Sequence, residues 1–62
     1  MTRNILVRVE YRGPGVKGVA YVPLDHPDPV GYVTDYLRGK LSAEEMGYAV
    51  IRVLPGVLEL YP

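Results

Sequence analysis

The only histidine of the chain lies in the stretch LDHPDPVGY, residues 24–32, between two aspartates and two prolines. Asp, His and Asp are the residue types of a divalent-metal centre, or of a general base oriented by a carboxylate. Their spacing argues against both. Pro27 and Pro29 restrict His26 and Asp28 to extended backbone, where successive side chains project to opposite sides. Asp25 and His26 then diverge instead of converging on one ion. Asp28, extended and followed by proline, suits a helix N-cap, with Pro29 as the first helical residue. The stretch is expected to be a rigid strand-to-helix corner, with no metal.

No other group of residues has the spacing of a catalytic centre. There is no glycine-rich phosphate loop and no nucleophile paired with a base. Ser42 with Glu45 three residues later is a capping box, and the adjacent Glu44 and Glu45 point apart on a short helical turn. The absence of cysteine excludes disulfides and thiolate zinc sites. Sixty-two residues also leave little room for a pocket around a small substrate. The expectation is a protein that is not an enzyme, with no cofactor and no small-molecule substrate.

The elements follow from hydrophobic period. Residues 4–11 (NILVRVEY) alternate strictly, with Ile5, Val7, Val9 and Tyr11 on one face and Leu6, Arg8 and Glu10 on the other. RGPG (12–15) is a turn and VKGVAYVPL (16–24) a second strand, so a hairpin is expected. Between 29 and 38 the period becomes helical. Val30, Val33, Leu37 and Leu41 form one stripe, and Gly39 stands where a positive φ would end the helix. YAVIRVL (48–54) and VLELY (57–61) read as the last two strands. Pro55-Gly56 between them is not a favoured two-residue hairpin turn, so a bulge or longer loop is expected there.

The result is a single α+β domain over residues 1–62, in the order β-β-α-β-β, with two hairpins forming one four-stranded sheet and one helix packed on one face. The more apolar face of each strand gives an inner set of Ile5, Val7, Val9, Val16, Gly18, Ala20, Val22, Ala49, Ile51, Val53, Leu58 and Leu60. Gly18 and Ala20 are small enough for close approach of the helix. The outer face then carries Leu6, Arg8, Glu10, Lys17, Val19, Tyr21, Tyr48, Val50, Arg52, Val57, Glu59 and Tyr61. A solvated sheet face normally holds more Lys, Glu and Thr. Tyr and Arg are the side chains that dominate interface cores. Arg8, Lys17, Tyr21, Tyr48, Arg52 and Tyr61 are therefore the candidate binding residues for a protein or nucleic acid. Tyr32 and Tyr36, four apart on the helix, form a secondary patch. The plainer reading is that strands favour Tyr and Val, with cross-strand pairs such as Arg8 and Glu59, and that the helix tyrosines lie over the sheet edge.

The element order resembles that of β-grasp domains, in which β1 and β4 would be central and parallel. GVAYVPLD (18–25) resembles the Gly-Arg-…-Ile-Pro strand of swapped-hairpin DNA-binding regulators, with Gly18 and Pro23 at the matching separation. Val19 stands where that family has its arginine. The resemblance implies, as the alternative, a swapped-hairpin dimer that binds nucleic acid.

Seven basic and seven acidic residues give a formal charge of zero, without the strongly basic composition typical of nucleic-acid proteins. No apolar run is long enough to cross a membrane, and the N-terminal stretch alternates instead of forming a signal-peptide core. A soluble, cytoplasmic chain without membrane contact is expected, of a size that suits a phage- or virus-encoded accessory protein. The favoured role is a small interaction or regulatory module that binds a protein partner, or itself as a homodimer, through the outer sheet face. The alternative is a small nucleic-acid-binding regulator.

Overall fold

Alternation in NILVRVEY builds the strand to which every other strand pairs. The computed structural model describes residues 4–60, and its elements run β1 (Asn4–Gly13), β2 (Val16–Pro23), α1 (Pro29–Arg38), α2 (Ala43–Met46), β3 (Val50–Val53) and β4 (Leu58–Leu60). The fold is α+β: a four-stranded antiparallel sheet with one main helix, in the expected β-β-α-β-β order.

β1 and β2 form a hairpin closed at Gly13 and Val16, with Pro14-Gly15 at its tip. Gly15 takes φ 73°, the left-handed value that a turn with proline at its second position asks of its third. The opposite edge of β1 carries β3 and β4 end to end. Val9 to Arg12 face Val53 to Val50, and Asn4 to Leu6 face Leu60 to Leu58.

This corrects two expectations. β3 and β4 do not fold back on each other as a hairpin, and β4 runs antiparallel to β1, so the pairing is not that of a β-grasp domain. The 54–57 segment is a bulge inside one lane, with four residues opposite Val7 and Arg8. Gly56 supplies its positive φ, 83°. The lane is held across the bulge by the Leu54 N–H, which donates to the Arg8 carbonyl at 2.9 Å, and by Arg8 Nη2, which donates to the Pro55 carbonyl at 2.9 Å.

The bulge adds residues without changing parity. Directly opposed residues share a face, so Leu58 joins Leu6 on the outer face while Glu59 joins Ile5 on the inner one. Leu58 and Leu60 were expected inside and lie outside. Glu59 was expected outside, beside Arg8, and lies on the opposite face. The cross-strand ion pair is instead Arg52 Nη2 with Glu10 Oε1, at 3.0 Å.

The core is small: Val9, Val22, Val33, Leu37 and Leu41, with Val7, Tyr11, Val16, Ala20, Met46, Ala49 and Ile51 packed around it. α1 lays Val33 and Leu37 on the sheet, and Leu41 continues the stripe over Gly13, where an added Cβ would meet Leu41 Cδ1. Val30, expected on the same stripe, is exposed at the start of α1. Gly39 and Gly47 cap their helices with φ of −77° and −63°, so neither uses the positive φ expected at Gly39. The Ser42–Glu45 capping box is present in both directions.

Candidate functional site

The outer face is built by alternation, and the register places its residues in rows. Across β2, β1 and β3 the rows run Lys17, Arg12, Val50 and then Val19, Glu10, Arg52, and Tyr21 lies beside Arg8. Beyond the bulge, Leu6 lies between Pro23 and Leu58, and Asn4 beside Leu60. α1 and the core occupy the other face; on these rows Val19, Tyr21, Val50 and Leu60 are exposed, while Leu6, Arg8 and Leu58 are half-buried.

The face divides into two halves. Toward the hairpin tip it is basic, with a shallow hollow of ≈ 710 Å³ lined by Arg12, Lys17, Val19, Val50 and the Glu10–Arg52 pair. Toward β4 it is apolar, formed by Leu6, Tyr21, Pro23, Leu58 and Leu60. Tyr21 is 55% and Leu60 45% exposed. Arg8 stands between the halves, and its Nε is buried without a hydrogen-bond partner while Nη2 holds the bulge.

Charge is sorted between the faces. Arg8, Arg12, Lys17 and Arg52 share the outer face with one acid, Glu10. Asp28, Asp35, Glu44 and Glu45 cap or line the helices, where Arg38 and Lys40 are the basic residues and Arg38 pairs with Asp35 at 3.1 Å, and Glu59 is on the inner face. A formal charge of zero therefore hides a chain with a basic outer face.

Of the residues singled out from sequence, Arg8, Lys17, Tyr21 and Arg52 share this face. Tyr48 does not extend a strand: its N–H donates to the Glu45 carbonyl in the turn after α2, and β3 begins at Val50. Its ring is 73% exposed but stands apart from the rows. Tyr61 falls outside the described residues. Tyr32 and Tyr36 each take a neighbour from another segment. Tyr32 meets the His26 ring edge-on at 5.4 Å, and Tyr36 meets the Tyr11 ring at 5.6 Å with Lys40 Nζ 5.1 Å from its centre.

Tyr11 lies over Gly18, whose added Cβ would fall 2.6 Å from the phenol oxygen. Gly18 thus makes room for a neighbouring strand's ring, and the helix reaches the sheet there through Tyr36. The phenol of Tyr11 is held above its ordinary pKa, first by hydrogen bonding with Tyr36, then by desolvation and by the charge Tyr36 would carry.

His26 is occupied structurally. Its Nδ1 accepts the Asp28 N–H at 3.0 Å, which fixes Nε2 as the protonated nitrogen of the neutral ring. Asp28 Oδ1 accepts the Gly31 N–H at 3.0 Å as the N-cap. Among the described residues no three His, Cys, Asp or Glu side chains are grouped to hold a metal ion. No helix among them is long and apolar enough to cross a membrane.

Arg12, read from sequence as part of the turn, lies in β1 on this face; the other residues missed in sequence are Leu58 and Leu60, which complete the apolar half. Their apolarity was plain. Their face depended on whether Pro55-Gly56 reverses the chain or only bulges it. The arrangement supplies contact area and positive charge, the means of holding a macromolecular surface. No family model, curated protein or solved structure matches this chain.

Proposed function

We propose that the chain is a small, non-catalytic binding module that takes a protein partner on its outer sheet face. The supporting observation is the contiguous apolar half, Leu6, Tyr21, Pro23, Leu58 and Leu60, which the helix leaves uncovered. Burial of apolar surface in a desolvated centre carries most of the free energy of such contacts. The basic half then acts at the rim, where charge speeds encounter and selects partners more than it strengthens binding. The partner expected is one whose surface pairs an apolar patch with an acidic margin. A regulatory role in the cytoplasm belongs to the same proposal.

Charge sorting favours a second reading, in which Arg12, Lys17 and Arg52 meet phosphates and Tyr21 stacks on a base. Two features weigh against it. Arg52 is already paired with Glu10, and half the face is aliphatic.

Capture from the native lysate by the tagged chain separates the two. A protein partner is expected to stay bound after nuclease treatment and to be lost with Leu58→Lys. Capture abolished by nuclease and by Arg12→Glu, but untouched by Leu58→Lys, establishes the nucleic-acid reading instead.

A further inference from the structure

The sheet has two edges, and only one is blunted. On the β3–β4 side the lane is broken by a bulge containing Pro55, which has no N–H to offer. On the other side β2 runs eight residues without a bulge, and among the described residues no strand pairs with its outer edge. An open edge of this length is a template for another strand, and proteins usually blunt it with charge, proline or bulges. β2 carries one charge, Lys17, and its proline comes last.

The phase of the hairpin says which groups are open. The Leu24 N–H donates to the carbonyl of Ile5 directly opposite, at 2.8 Å. Hydrogen-bonded pairs alternate along an antiparallel ladder, so Val16, Gly18, Ala20 and Val22 turn their backbone groups toward β1. Lys17, Val19 and Tyr21 turn theirs outward, each with one N–H and one carbonyl. Pro23 ends this series because it lacks the N–H.

Those three residues are self-complementary. An antiparallel copy placed with Val19 opposite Val19 sets Lys17 opposite Tyr21 on both sides of the two-fold axis. Every outward N–H and carbonyl of the three then has a partner. Shifting the axis to Ala20 would set Lys17 opposite Pro23 and lose a donor. In the Val19 register the ammonium of Lys17 comes beside a tyrosine ring that is 55% exposed, a cation–π pair made twice. On the inner face Gly18 meets Ala20, and neither adds bulk at the junction.

We propose that the chain dimerises edge to edge through β2, with Val19 on the two-fold axis, joining two sheets into one. The dimer extends the outer face across both copies; it brings Lys17, Val19 and Tyr21 to the junction and leaves Leu6, Leu58 and Leu60 of each copy free.

The test is the oligomeric state of the full chain by sedimentation, with paired variants. The wild-type chain is expected at twice its 6.9 kDa mass. Val19→Lys and Val19→Glu each place like charges opposite one another at the axis. They are expected to raise the dissociation constant by about tenfold or more. Mixing the two variants is expected to restore the dimer, because residue 19 then meets its opposite charge. A second measurement needs no variant: amide exchange at Lys17, Val19 and Tyr21 slows as wild-type concentration rises. A wild-type monomer at about 1 mM, a dimer indifferent to both variants, a mixture that stays monomeric, or exchange independent of concentration each overturns the proposal. Leu58→Lys is expected to leave the dimer intact, so a failed partner capture and a failed dimer are separate outcomes.

Discussion

Asp28, His26 and Gly31 show how much of a polar stretch one helix start can consume. Asp28 caps the Gly31 N–H, His26 accepts the Asp28 N–H, and a Cβ at Gly31 would collide with the Asp28 carboxylate. The glycine serves here by its lack of a side chain and not by its φ. Asp28 before proline was readable as a cap, because both demands ask for extended backbone. The contact of His26 with Tyr32 was not readable, since it depends on where the helix lies. Tyr11 has a pH consequence. Its folded phenol titrates above the unfolded one, so across that interval the native state holds a proton that the unfolded state has lost. The stability tied to this phenol is thus full below about pH 10 and is lost as pH rises through its folded value. Urea melts between about pH 8 and pH 11 should show this alkaline loss. Tyr11→Phe and Tyr36→Phe should both reduce it, and an unchanged slope in both variants would refute the assignment.

At the scale of elements, the readable parts were those set by local period and capping. α1 begins and ends where Asp28, Pro29 and Gly39 place it, the Ser42 capping box forms, and β1 and β2 make their hairpin. The C-terminal pair was not readable. Pro-Gly with apolar residues on both sides fits a reversal and a bulge equally well, and only pairing with distant β1 decides between them. That choice moved Leu58 and Leu60 from the core to the candidate site. Gly56 holds the bulge at φ 83°, with Arg8 Nη2 3.8 Å from where a Cβ would stand. A non-glycine residue in that conformation costs about 1–2 kcal/mol. Gly56→Ala is expected to lose about that much and to speed amide exchange at Leu58 and Leu60, while the α1 amides keep their protection. Equal loosening of α1 would show that the bulge and the core are one cooperative unit.

For the whole molecule, the narrow extents of 44 × 17 × 17 Å set a long sheet against a core of five residues. One core of this size supplies only about 3–5 kcal/mol of net stability. Leu37→Ala removes a fully buried side chain at a cost of about 2–5 kcal/mol. It is expected to abolish the cooperative thermal transition. Val30→Ala, at an exposed site of the same helix, should leave the midpoint almost unmoved. A folded Leu37→Ala chain would mean that support comes from outside this core, as edge pairing would provide. The sorting of charge between faces also belongs to this scale, and composition concealed it because opposite signs cancel in a sum. The pairing of Asn4 with Leu60 has a topological consequence. The described chain enters and leaves the sheet at neighbouring points, with Cα atoms about 5.5 Å apart. The order of the strands along the polypeptide is therefore not fixed by their order in space. A short join between Asn4 and Leu60 with a new opening at Pro14-Gly15 is expected to give a circular permutant that retains the same strand pairs.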